Sequence, residues 1–247
     1  LMAVFWNVKP DRVGPVRSSR SYFVDFAMEH DAIYSHVGGS PMAMADIKKL
    51  KVNDIDGLYT SNRYYWDITD DRGNWQDTYT SIERLEEYAL KKGFSTSTAK
   101  DMVFAYNSTR TDITEGSRAE KLEFKYSSDY KSSFVYEPAA GLYMRFRKEK
   151  LHVERVSGKQ LTAVNIIVQY IPNNRIKGDK YDRQELHNIG SGEGWYVTRG
   201  KAVPIKWSKE SRSAQTKYTY ENGSAIVLNP GQTWIQVINS NELVKIE

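Results

Sequence analysis

The apolar residues change their period once along this chain, near Asn107, and that change separates what the two halves can fold into. Before it, short apolar runs alternate with stretches of helical spacing. Tyr22, Phe23, Phe26 and Ala27 recur at helical intervals with Asp25 and Glu29 on the other side, which predicts a helix. Residues 32–37 read as a strand, broken by Gly38-Gly39. Ser40 then stands as a helix N-cap, with Pro41 at the first helical position of a helix running to about Leu50. Residues 55–59 read as a second strand. Thr80 and Glu83 fit a capping box for a helix through Leu85, Tyr88 and Ala89 that stops at Gly93. Strands alternating with helices predict an α/β half with a mostly parallel sheet.

After Asn107 the helical period disappears. Residues 108–119 are polar and aperiodic, so they read as a linker. Leu122, Phe124 and Tyr126 then alternate with charged residues, and Tyr143, Arg145 and Arg147 follow a turn at Ala140-Gly141. Residues 163–171 are apolar enough for a central strand, and 195–198, 202–207, 225–228 and 233–238 complete the set, with turns at Arg199-Gly200, Asn222-Gly223 and Pro230-Gly231. The 17 tyrosines suit such a sheet, since aromatic residues favour strands. The expected class is α+β: an α/β domain over 1–107, a linker over 108–119 and a β-rich domain over 120–247. The opening residues Leu1-Met2-Ala3-Val4-Phe5-Trp6 read as a buried strand, so the α/β domain is expected to lack its N-terminal portion, which lies upstream.

Composition narrows the function classes. The 35 lysines and arginines are interspersed with 31 acidic residues for a net charge of +4, without the single-sign stripe of a nucleic-acid binder. The absence of cysteine excludes disulfides, thiolate chemistry and cysteine-held zinc within the chain. The four histidines are scattered without zinc spacing. No apolar run reaches the roughly 18 residues needed to span a bilayer, and no signal peptide is present.

Two groups of residues point to ligand chemistry. Arg17 and Arg20 follow a Gly-Pro turn at the start of the first predicted helix, where spacing by three places them on one helix face. Free N–H groups at a helix start and two guanidiniums, each able to hold two oxygens, suit a phosphate or carboxylate, and Ser18 and Ser19 add hydroxyls. His36, Gly39 and Ser40 fall at the end of a predicted strand, where ligand crevices open in α/β sheets. There His36 reads as a general base or ligand-orienting group and Ser40 as an anion donor, against a bland alternative of core histidine and N-cap. Asp67, Asp70, Asp71 and Asp77 form an acidic patch beside Tyr64, Tyr65, Trp66 and Trp75. This patch reads as a magnesium or calcium holder, or as a solvated loop pinned by tryptophan. Gly190-Ser191-Gly192-Glu193-Gly194 reads as a bulged hairpin turn, since no helix follows it.

Several stretches resemble the YerB-like family of bacterial lipoproteins of unassigned function. They are Val13-Gly14-Pro15-Val16-Arg17-Ser18-Ser19-Arg20, Ala32-Ile33-Tyr34-Ser35-His36-Val37-Gly38-Gly39-Ser40-Pro41, Asp77-Thr78-Tyr79-Thr80-Ser81, Asn165-Ile166-Ile167-Val168-Gln169, the glycine run above, and Asn229-Pro230-Gly231-Gln232-Thr233-Trp234-Ile235. Where the family has Pro-His-Asn, this chain has Trp75-Gln76-Asp77. The resemblance implies separate N- and C-terminal domains and an extracytoplasmic place in a Gram-positive-type cell. It also implies anchoring through a lipid-bearing cysteine upstream of Leu1.

The expected function is that of a binding module for an anionic small molecule or envelope glycopolymer precursor, held by Arg17, Ser18, Arg20, His36, Gly39 and Ser40. It needs no cofactor and no metal, and nucleic acid is not among the expected partners. A protein-interaction scaffold, resting on the tyrosine-rich half, is the second reading. The third draws on a short likeness to LytR-CpsA-Psr phosphotransferases, which act on pyrophosphate-linked lipid carriers. In that reading magnesium enters, with Arg17, Arg20 and Asp67 or Asp71 around the diphosphate. No residue set names a reaction.

Overall fold

The computed structural model describes residues 1–69 and 77–247 of the chain. The protein is strand-rich, with three α-helices among the described residues. It divides into two compact units: unit 1 is Leu1–Asp101 with Arg212–Gln215, and unit 2 is Met102–Ser211 with Thr216–Glu247.

Unit 1 holds the helices α1 (Ser21–Glu29), α2 (Pro41–Leu50) and α3 (Ile82–Lys91). Ser40 caps α2 by accepting from Ala43 N, and Pro41 occupies the first turn, where its missing N–H costs no hydrogen bond. The cap of α3 is Ser81, whose Oγ accepts from Arg84 N, and not Thr80. Thr80 Oγ1 instead donates to the Tyr64 carbonyl at 2.8 Å, which holds it in extended backbone one residue earlier. Two parallel strands, β1 (Tyr34–His36) and β2 (Asp54–Asp56), pair Tyr34 with Asp54, Ser35 with Ile55 and His36 with Asp56. A mostly parallel sheet was the expectation, and the regular parallel pairing stops at these two strands. Each is three residues long, and the neighbouring backbone joins through isolated bridges, Ser19 to Gly39 in parallel and Val13 to Thr80 antiparallel. One apolar cluster gathers Val24 and Ala27 of α1, Tyr34 of β1, and Ala43 and Ile47 of α2; a second gathers Ile55, Tyr64 and Tyr65. The opening residues 1–6 form no strand. Leu1 is 83% and Trp6 49% exposed, while Met2 is half-buried and packs against the α1 and α2 cluster, so the run as a whole is not a core strand.

Unit 2 contains two six-stranded sheets. The first centres on β3 (Lys121–Lys125), β4 (Lys131–Glu137) and β5 (Leu142–Arg147), all antiparallel. The second carries β6 (Asn165–Tyr170), β7 (Gly190–Thr198), β8 (Lys201–Lys209), β9 (Lys217–Tyr220) and β10 (Thr233–Ile238), with β6 parallel to β10 and the other pairs antiparallel. A further strand, β11 (Val244–Ile246), returns to pair with β3 in the first sheet. Both sheets feed one core, in which Leu122, Phe124, Phe134 and Tyr143 meet Ile166, Val168, Val197 and Ile238. Burying side chains of this size contributes about 1.5–3 kcal/mol each.

Two stretches differ from their expected roles. Residues 108–119 lie within unit 2, where Ser117–Arg118 pairs with β8 and Thr111 N donates to Asn229 Oδ1 at 2.8 Å. The glycine run 190–194 is the first half of β7 and not a turn, paired with β8 through all nine residues. The Trp207 side chain explains Gly192: a Cβ there would lie 2.7 Å from the indole Nε1. At Gly194 a Cβ would lie 2.1 Å from the Val168 carbonyl oxygen on the adjacent strand. Gly194→Ala must therefore push β6 and β7 apart. A loss of about 2 kcal/mol is expected, read as a lower urea midpoint; an unchanged midpoint would show that the strands part without cost.

Candidate functional site

The segment before α1 runs extended beside β1. Val37 N donates to Arg17 O, Ser19 N to Gly38 O and Ser40 N to Ser19 O. These bonds place the backbone of 17–19 directly against the Gly38-Gly39 turn. Gly38 has φ +63°, which glycine adopts without strain. A Cβ on Gly39 would lie 2.7 Å from Met44 Sδ and 3.2 Å from Ser19 Cβ. The two glycines are thus needed for the chain to turn and for the arginine-bearing segment to approach.

Arg17 and Arg20 do not share a helix face. Arg20 is the N-cap residue of α1, in extended backbone at φ −134°, and Arg17 precedes it on the extended segment. The segment pairs with residues 37–40, and that pairing prevents it from joining the helix. The charge of Arg20 nevertheless reaches Arg17. The Arg17 proton affinity is lowered, first by desolvation and then by the charge of Arg20. Arg20 Nη1 donates to the carbonyls of Ser19 at 2.8 Å and Ser18 at 3.4 Å. Among the described residues Arg20 meets no carboxylate. Arg17 and Ser18 are exposed and Arg20 is half-buried.

His36 and Ser40 face inward. His36 is 1% exposed; its Nε2 meets Asp54 Oδ2 at 3.0 Å and its Nδ1 meets the Gly38 carbonyl at 2.9 Å. Both ring nitrogens are engaged by oxygens within the fold, so neither is turned toward a ligand. The Ser40 hydroxyl accepts from its own helix. Sequence reasoning missed Asp54 and Asp56. Asp56 is 8% exposed, accepts from Gly38 N at 2.8 Å and Leu58 N at 3.0 Å, and lies 3.9 Å from His36 Nδ1. Its signal was the Asp54-Ile55-Asp56 alternation, which places both carboxylates on one side of β2.

The structure brings together Arg17, Ser18 and Arg20 at the surface and sets Gly39, His36 and Ser40 beneath them as support. In the acidic patch, Asp67 accepts from Thr78 Oγ1, and Asp77, 4% exposed, accepts from Thr69 N and Thr69 Oγ1. Asp70, Asp71 and Trp75 lie outside the described residues. Among those described, no group of three or more histidine, aspartate or glutamate side chains is arranged to hold a metal ion. No helix among them is long and apolar enough to cross a membrane.

Residues 1–95 match the N-terminal domain and residues 122–235 the C-terminal domain of a protein of unknown function, DUF3048. The chain is 26% identical over 249 residues to a Bacillus subtilis (strain 168) protein named "Putative lipoprotein YerB", covering 96% of this chain and 70% of that protein. It is also similar in fold to the crystal structure of YerB protein from Bacillus subtilis, with a TM-score of 0.83 and 22% identity, over 96% of this chain and 78% of that one.

Proposed function

The chain belongs to the DUF3048 family of proteins of unknown function, and on that premise we propose that it is an extracytoplasmic, lipid-anchored binding protein that takes an anionic cell-envelope ligand at Arg17, Ser18 and Arg20. The name of the Bacillus subtilis relative supports the anchor and the compartment. The observation that carries the ligand is a pair of arginines on one accessible segment, where desolvation and then the charge of Arg20 lower the proton affinity of Arg17. A phosphate or carboxylate between them relieves that repulsion and accepts from both, with the Ser18 hydroxyl beside it. His36, Asp54 and Asp56 act indirectly, by holding the turn against which the arginine segment rests.

The test is calorimetric titration of the 247-residue chain with inorganic pyrophosphate at low salt. Saturable binding is expected, weakened about tenfold or more in an Arg17→Ala/Arg20→Ala variant, in line with the loss of charged hydrogen bonds. Equal affinity in the double variant, or no binding at all, refutes the site.

A further inference from the structure

Arg145 on β5 is 1% exposed. A guanidinium so far from water ordinarily faces a carboxylate, because an uncompensated buried charge is strongly disfavoured. Among the described residues none faces it. Its Nη1 donates to His152 Nδ1, and its Nε–H has no acceptor. Two rings fix its plane: the guanidinium carbon lies 4.5 Å from the Trp234 ring centre and 5.5 Å from that of Phe134. Two residues along the same strand, Arg147 is exposed, with its guanidinium 5.2 Å from the Tyr130 ring, and it too meets no carboxylate among the described residues. Ser132, directly opposite Arg147 on β4, is 2% exposed and its Oγ has no partner.

This cluster therefore combines two unmatched positive charges with two buried donors that lack acceptors. It runs from the surface at Arg147 and the half-buried His152 down to Arg145 and Ser132. We propose that Arg145, Arg147, His152 and Ser132 form an oxyanion site on unit 2, which takes a phosphate or carboxylate group. Guanidiniums hold such groups by paired N–H bonds, and stacking on aromatic rings fixes the fork before the ligand arrives. The site is separate from Arg17 and Arg20 and does not depend on them.

His152 reports on it. A guanidinium only donates, so His152 Nδ1 accepts, and the ring is neutral in this arrangement. Its proton affinity is lowered by burial, then by the charges of Arg145 and Arg147. A bound oxyanion offsets both charges and gives Arg145 a better acceptor, so His152 gains its second proton at higher pH.

The experiment is a proton NMR titration of the four histidines in the full chain, at constant ionic strength in chloride, sulfate or acetate. Sulfate stands in for phosphate and keeps its charge across the range. The His152 midpoint is expected to rise by about one pH unit in at least one oxyanion, as for a charge partner at contact distance, while exposed His187 does not move. A rise in sulfate alone assigns a phosphate-like ligand, and a rise in acetate alone assigns a carboxylate. Arg147→Ala, at an exposed position, should abolish the rise; Arg17→Ala/Arg20→Ala should leave it intact. The same His152 midpoint in all three salts, or a rise that survives Arg147→Ala, overturns the proposal.

Discussion

Asn229→Leu is expected to destabilise unit 2 by about 4 kcal/mol, because one side chain there satisfies four polar groups in a buried network. Asn229 is 1% exposed. Its Oδ1 accepts from Thr111 N at 2.8 Å and Asn107 Nδ2 at 3.2 Å, and its Nδ2 donates to Thr111 O at 2.9 Å and Thr198 Oγ1 at 3.1 Å. Its backbone N–H donates to Asn165 Oδ1, which also accepts from the Tyr196 hydroxyl. Leucine has nearly the same size and fills the space, but it strands both backbone groups of Thr111. Each polar group left without a partner costs about 1–3 kcal/mol. Asn107→Ala removes a single bond of the set and should cost about 1 kcal/mol. Urea unfolding followed by tryptophan fluorescence reads both. Similar small losses for the two variants would show that the network re-forms around leucine or admits water.

That network shows what local sequence does not carry. Thr111 sits in a polar, aperiodic stretch, and nothing nearby signals that a side chain 118 residues away holds its backbone. Strands with clear alternation or dense apolar character were legible. Leu122 and Phe124 are buried on β3, and Ile166, Ile167 and Val168 are buried on β6. Their pairing was not legible, since β6 lies parallel to β10, from the far end of the chain. The glycine run of β7 looked like a turn because the reason for its glycines, the Trp207 indole, comes from the partner strand. In unit 1 the short apolar runs marked β1 and β2 approximately, but they could not show that regular pairing ends after three residues.

The candidate sites divide in the same way. Arg17 and Arg20 were visible as a pair, whereas their extended backbone depends on hydrogen bonds to residues 37–40. The occupation of His36 depends on the β1–β2 register, which places Asp54 and Asp56 beside it. Arg145 carried a readable hint: it stands two residues after Tyr143, so both face the same way on β5, and Tyr143 is fully buried. An arginine on an inward face is a stronger signal than its charge alone.

The pairing of Arg212 with α1 and α2 sets the second large expectation. Arg212 belongs to the four-residue piece of unit 1 that comes from late in the chain. Its Nε donates to Asp25 Oδ1 at 2.6 Å, and Nη1 and Nη2 grip Asp46 at 2.7 and 2.8 Å. Asp25 is 4% exposed on α1, and Asp46 is half-buried on α2, so one guanidinium ties the two helices together. Hydrogen bonding to Asp46 raises the Arg212 proton affinity, and the same bond holds the Asp46 carboxyl below the usual range. Arg212→Ala leaves the buried Asp25 without its guanidinium. A loss of about 3 kcal/mol is expected, at the low end for a broken buried pair because the guanidinium is partly solvated. Arg212→Lys should recover only part of it, since an ammonium cannot hold Asp46 by two parallel bonds. The pH dependence has a definite sign. A carboxyl whose folded pKa lies below its unfolded value of about 3.9 contributes stability that is complete above about pH 5 and is lost as pH falls through the unfolded value toward and past the lower folded one. The gap between wild type and Arg212→Ala should therefore be widest near neutral pH and narrow on acidification toward pH 3. Hydrogen exchange of the α1 and α2 amides at pH 7 and pH 3 measures it. A gap that stays constant over that range would mean that the pair holds the helices by packing alone.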